Sequence, residues 1–134
     1  PGARTSGLVE LVDVLPTLTE VCGLPRDEGA EGISLVPLMN EPERKWKSAA
    51  FSQYPRVLKE QGNVMGTSMR TDRWRFTEWL NEGGTFRQVE IYDLENDPEG
   101  NVNLARDPAH RDRIPEFTKQ LHAGWKAAQP IPQK

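Results

Sequence analysis

The 134-residue chain is long enough for one domain with a modest core. Charged residues make up 28% of it and hydrophobic residues 36%, as in an ordinary globular protein, and its formal net charge is −3. The negative charge argues against a dedicated nucleic-acid-binding protein, and the lack of a run of 18 apolar residues predicts no membrane span. A single cysteine, Cys22, excludes an internal disulfide framework.

The N-terminal part of the chain predicts a short strand followed by a helix. Leu8–Val12 is an apolar run that predicts the strand, and Asp13 is the expected N-cap of the helix. Pro16 falls in the first helical turn, and Gly23 predicts the end because glycine enters the left-handed region without strain. A helix of about ten residues needs packing from elsewhere, so this one requires a partner.

The middle of the chain predicts four strands joined by short links. Ala49–Tyr54 predicts a strand that Pro55 ends, and residues 56–63 predict a polar loop. Apolar and polar side chains then alternate with the period of two that is typical of half-buried strands. These strands cover residues 64–70, 74–80 and 86–94, with Thr71-Asp72-Arg73 as the first turn. Short connections favour an antiparallel meander.

The last part of the chain predicts one helix that covers the sheet. Asp107 and Pro108 have the residue types of an N-cap and first helical position, and Pro115 is expected to break or kink the helix near its start. An apolar stripe at steps of three or four follows: Ile114, Phe117, Leu121, Trp125 and Ala128. The predicted fold is therefore α+β, with a core of Trp74, Phe76, Val89 and Ile91 against Phe117, Leu121 and Trp125.

Candidate catalytic and metal-binding motifs fail in detail. The acidic run Asp93, Glu95, Asp97 and Glu99 has Pro98 where an EF-hand requires glycine, and Leu104 where it requires glutamate. We interpret the run as an acidic turn. His110 and His122 have no neighbours with metal-ligand spacing and are interpreted as surface residues. The sequence nominates no catalytic residue and no metal ligand.

The outward side of the predicted sheet is richer in binding chemistry. Its candidate substrate-binding residues are Tyr54, Arg56, Arg70, Arg75 and Trp79. Arginine guanidinium groups suit sulfate or carboxylate, and aromatic faces suit sugar rings. A solvated face and an interface with another domain are alternatives that the sequence leaves open.

Several segments of the chain resemble those of one known enzyme family. Residues 8–18 (LVELVDVLPTL) and 32–38 (GISLVPL) resemble consecutive segments of that family. Residues 51–56 (FSQYPR), 65–79 (MGTSMRTDRWRFTEW) and 91–98 (IYDLENDP), with Asn103-Leu104, resemble the C-terminal region of iduronate-2-sulfatase-type enzymes. The order and spacing of these segments, over nearly the whole chain, make the resemblance specific.

The resemblance implies an origin in the alkaline-phosphatase-like superfamily. Residues 1–44 would be the tail end of a large α/β domain, contributing a strand and helix remnant, and residues 45–134 a C-terminal subdomain. Calcium and formylglycine are then expected in the parent enzyme, and neither is expected in this chain. The family's Cys-x-Pro-x-Arg signature is absent, since Pro25 lies three residues after Cys22. We interpret Cys22 as a small buried hydrophobic residue.

The expected function follows from this resemblance. The chain, which lacks an initiator methionine, is expected to be the C-terminal fragment of a sulfuric ester hydrolase, completing the fold and the rim of the substrate pocket without catalytic machinery. Its expected partners are the parent's catalytic domain, a sulfated saccharide and a second copy through an exposed interface, in a periplasmic, secreted or lysosomal setting. The alternative is a stand-alone module for anionic-sugar binding or self-association.

Overall fold

A computed structural model describes residues 2–130, which divide into two compact units. Ala49–Ala128 forms one unit, and the described chain on both sides of it belongs to the other. Among these residues, none of the helices combines the length and apolar character needed to span a membrane.

The first unit contains helices α1 (Val14–Val21) and α2 (Val36–Asn40) after a 3₁₀ turn at Leu11–Asp13. The end of α1 is as predicted, because Gly23 has φ of 63°. The predicted strand at Leu8–Val12 is wrong. The described part of this unit contains no second strand that could receive its hydrogen bonds, and the chain turns into α1 instead.

A buried ion pair holds this unit together. Asp13 is fully buried, and its carboxylate oxygens both lie 2.7 Å from Nζ of Lys47. The carboxylate also accepts from the backbone N–H groups of Glu10 (2.9 Å) and Ile33 (3.0 Å). Asp13 is the N-cap residue of α1, as predicted, but its side chain does not bond to the first-turn amides, because Lys47 and the N–H groups of Glu10 and Ile33 hold the carboxylate.

The second unit is a four-stranded antiparallel sheet covered by one helix, which confirms the predicted meander. Its strands are β1 (Ala50–Leu58), β2 (Gly62–Arg70), β3 (Trp74–Asn81) and β4 (Arg87–Asp93), in that spatial order. The predicted turn at residues 71–73 is confirmed, with the Thr71 N–H donating to the Trp74 carbonyl at 2.8 Å.

The first strand is longer than predicted. Pro55 does not end β1, which continues to Leu58, and residues 56–63 are not a loop because only 59–61 connect β1 to β2. The reason is the position of β1 at the edge of the sheet, where a proline without an N–H breaks no ladder on its open side.

The helix α3 (Arg113–Ala127) begins later than predicted. Asp107 caps only a short 3₁₀ turn, accepting from the Ala109 N–H at 2.9 Å. Pro115 lies in the first turn of α3, where its missing N–H has no consequence, so the expected kink there is wrong. The helix is interrupted instead at Gly124, where φ is 76°.

The core lies between α3 and one sheet face, which we call the inner face. Phe51, Met69, Phe76 and Ile91 lie side by side in one row across the four strands. The ring of Phe117 packs 5.7 Å from Phe76 and 5.8 Å from Trp74, and Leu121 joins the same cluster. Trp125 was also predicted in this core, but it is only half-buried and follows the break at Gly124.

Candidate functional site

The five predicted substrate-binding residues lie on the sheet face opposite α3, which we call the outer face. The strand register places them there, because they alternate with the buried residues of the inner face. Arg70 lies opposite Arg75, and Gly66 lies between Tyr54 and Trp79. Glu90 and Tyr92 of β4 share this face.

The first cluster on the outer face is built around Trp79. Its indole lies against Gly66, where a Cβ would stand 2.6–2.8 Å from three ring atoms. The guanidinium of Arg56 lies 4.5 Å from the Trp79 ring centre and 5.6 Å from that of Tyr54. The Trp79 Nε1–H donates to Oε1 of Glu90 at 3.1 Å. Three of the five predicted residues therefore form one group, with the arginine stacked on aromatic rings.

The second cluster is built around Tyr92. The guanidinium of Arg75 lies 4.4 Å from the Tyr92 ring centre, and the Tyr92 hydroxyl donates to Oε2 of Glu90 at 3.2 Å. Burial of the hydroxyl, and then the Glu90 carboxylate, raise the pKa of Tyr92 against the opposing effect of Arg75. Gly100 closes over Arg75, since a Cβ there would stand 2.6 Å from Nη2.

Arg70 belongs to neither cluster, although it lies opposite Arg75. Its Nη2 donates to the Asp72 carbonyl at 3.3 Å, and its buried Nη1 has no hydrogen-bond partner among the described residues. The charged side chains on the outer face are thus the three arginines and Glu90. This face is locally basic although the whole chain has a net charge of −3.

The inner face contains a polar group that the sequence did not reveal. Glu78 is 3% exposed, and its two carboxylate oxygens lie 2.6 Å from Nε of Arg87 and 2.6 Å from Nε2 of His122. Burial raises the pKa of Glu78, but hydrogen bonds from His122 and Arg87 outweigh it and hold that pKa below its usual value. His122 is exposed, as the sequence predicts, and its ring also ties α3 to β3 through Glu78.

The acidic turn is organised by internal bonds. Arg73 donates to both oxygens of Asp93, from Nε at 2.9 Å and from Nη2 at 2.6 Å, and this interaction holds the pKa of Asp93 well below its usual range. Asp97 accepts from the Val102 N–H at 2.8 Å. These carboxylates are occupied with protein donors, in agreement with the interpretation of the run as a turn.

Neither calcium nor a formylglycine fits the residues present here. The described residues include no group of three or more His, Cys, Asp or Glu side chains placed to hold a metal ion. Cys22 is exposed at the C-cap of α1, which corrects the expectation that it is buried, because the buried side of α1 is formed by Pro16 and Thr17. A helix C-terminus carries negative partial charge and does not attract a sulfate group.

Comparison with known proteins identifies the family. Residues 1–127 match the family model described as N-sulphoglucosamine sulphohydrolase, C-terminal. A delta 4,5-hexuronate-2-O-sulfatase of Bacteroides thetaiotaomicron is 31% identical over 111 residues, covering 82% of this chain and 22% of the relative. Arylsulfatase K of Homo sapiens is 27% identical over 124 residues, covering 90% of this chain and 22% of the relative.

A solved structure described as a 2-O GAG sulfatase superimposes with a TM-score of 0.64 at 29% identity, covering 83% of this chain and 23% of that one. The chain therefore spans under a quarter of the length of each of these proteins. The family match over nearly the whole chain confirms the resemblance seen in the sequence motifs: the chain belongs to the C-terminal domain family of sulfatases, within the alkaline-phosphatase-like fold.

Proposed function

We propose that the chain serves a sulfatase that hydrolyses sulfate esters of glycosaminoglycan-type saccharides, with iduronate-2-sulfatase-like specificity for a 2-sulfated uronate. The observation that carries this proposal is the family match from residue 1 to residue 127. The names of two similar proteins, a hexuronate-2-O-sulfatase and a 2-O GAG sulfatase, support the substrate class.

In this proposal the rest of the enzyme performs the chemistry. Formylglycine supplies the nucleophile and calcium the Lewis acid of such an enzyme, and both belong to the catalytic domain. The exposed position of Cys22 and the lack of a ligand cluster among the described residues support this division. The chain contributes the C-terminal part of the fold and the rim of the substrate pocket.

The domain boundary is also part of the proposal. Residues 1–44 complete the large α/β domain, and residues 45–134 form the subdomain, of which 131–134 lie outside the described residues. The exposed apolar side of α1 supports this assignment, because its side chains are 46–64% exposed and require cover: Val14, Leu15, Leu18 and Val21. The catalytic domain of the parent sulfatase is the partner that would cover them.

The outer face is the proposed contact with the saccharide. Arginine forks bind sulfate through paired N–H donors, and aromatic rings pack against sugar rings. Tyr54, Arg56 and Trp79 are assembled for such contacts in one cluster and Arg75 in the other, with Arg70 beside Arg75.

A comparison of the whole protein with the isolated 134-residue chain tests the proposed function. Sulfate released from a 2-O-sulfated hexuronate disaccharide would be measured by ion chromatography. We expect release by the whole protein and none by the isolated chain. Turnover by the isolated chain, with contaminants excluded, would contradict the proposal. Tight saccharide binding or dimer formation by that chain, with no sulfatase activity in the whole protein, would favour the stand-alone module.

A further inference from the structure

The two arginine clusters of the outer face lie in different rows across the strands. Arg75 and Tyr92 lie in one row across the strands, and Trp79 lies four residues further along β3. At the rise of a β-strand, four residues separate these rows by about 13 Å. Each cluster presents its own guanidinium over an aromatic ring, so each is equipped to contact a separate anionic group.

Glu90 connects the two clusters. It lies in the row between them, and one of its oxygens accepts from the Trp79 indole while the other accepts from the Tyr92 hydroxyl. Each ring that supports an arginine is therefore tied to the same carboxylate. The backbones of Gly66 and Gly100 close the other sides of Trp79 and Arg75, because a Cβ at either glycine would overlap them.

We propose that the outer face binds two anionic groups of one extended sulfated saccharide, with Glu90 as the positioning residue that sets the distance between the two arginine clusters. The inference rests on the proposed function and specifies its ligand as a chain with several sulfates. Charge complementarity supports this occupant, since the outer face carries three arginines and one carboxylate. A second copy is disfavoured, because two identical basic faces repel each other.

The test uses the whole protein and two probes, a monosulfated disaccharide and a heparin-derived octasaccharide, with Kd from calorimetry and KM and kcat from sulfate release. Arg56→Gln and Arg75→Gln should each weaken octasaccharide binding on the order of tenfold, the scale of one lost charge-assisted contact, and raise KM for the octasaccharide accordingly. Binding of the disaccharide should change much less. Arg111→Gln, which removes an exposed arginine near the start of α3, is the control with the same charge change.

Glu90→Leu separates positioning from simple charge. The substitution makes the face more positive, so charge alone predicts tighter octasaccharide binding. A leucine side chain makes no hydrogen bond and holds neither the Trp79 indole nor the Tyr92 hydroxyl, so positioning predicts weaker binding, by several-fold. Tighter binding by Glu90→Leu, or variants that all match Arg111→Gln, would overturn the inference. If wild-type protein binds the octasaccharide in this pattern but releases no sulfate from any substrate, the proposed function fails while the two-site surface stands.

Discussion

The contact between Gly66 and Trp79 predicts that Gly66→Ala destabilises the protein when the Trp79 indole is present and stabilises it when the indole is absent. A Cβ at Gly66 would stand 2.6, 2.7 and 2.8 Å from three atoms of the indole, well inside the roughly 3.5 Å at which carbon atoms pack. The guanidinium of Arg56 lies over the same ring and restricts its movement. Gly66→Ala should therefore destabilise the protein by about 1–3 kcal/mol, the cost of overpacking.

Removing the indole should reverse this effect. Gly66 does not have positive φ, so an alanine fits its backbone once the ring is gone. In a Trp79→Ala background, Gly66→Ala should stabilise the protein by about 0.5–1 kcal/mol, because glycine is unfavourable within a strand. The double-mutant cycle should then give a coupling of roughly 2 kcal/mol or more.

The assay is urea unfolding of the four proteins in the cycle, followed by far-UV circular dichroism and by tryptophan fluorescence normalised to the folded and unfolded signals of each variant. Gly83→Ala is the matched control, since a Cβ there would meet nothing closer than 3.9 Å and should show no coupling to Trp79. An equal cost of Gly66→Ala with and without the indole would show that the Trp79 ring does not cause the strain.

Three further predictions concern stability. Phe76→Ala should cost about 3–5 kcal/mol in urea unfolding, because the side chain is fully buried. Lys47→Ala should cost about 3–5 kcal/mol in urea unfolding, because it removes the cation that neutralises the fully buried Asp13 carboxylate. The depressed pKa of Asp93 implies stability that is present above the ordinary carboxyl pKa of about 3.9 and is lost as the pH falls below it. Arg73→Gln should therefore be less stable than the wild type at pH 6, and the difference should shrink by pH 3; a constant difference would contradict this cause.

Much of the second unit was predictable because a buried face imposes a period of two on its strands. The alternation correctly placed Trp74, Phe76 and Ile91 in the core under Phe117. The length of β1 was missed because a proline ends a strand only where the neighbouring strand needs an N–H donor at that position. Pro55 lies in an edge strand, and the edge position of a strand depends on the order of all four strands. The strand at Leu8–Val12 was overpredicted because an apolar run does not supply a neighbouring strand.

The candidate site was predictable in part for the same reason. Strand parity placed the arginines and aromatic residues on one face, but the role of Glu90 depends on a diagonal contact with Trp79, which requires the register of β3 and β4. The burial of Glu78 was predictable from the sequence, because its position in the alternation of β3 puts a carboxylate on the buried face, where it needs a partner. One of its two partners, His122, is 44 residues away in the chain and was not identifiable from sequence spacing.

The most direct test of the sulfatase assignment is product analysis with the whole protein on matched sulfated and phosphorylated saccharides. Free sulfate and free phosphate would be measured together by ion chromatography. We expect sulfate release from a 2-O-sulfated hexuronate saccharide in preference to phosphate release from its phosphorylated counterpart. Phosphate release alone, or no sulfate from any sulfated glycosaminoglycan fragment, would contradict it.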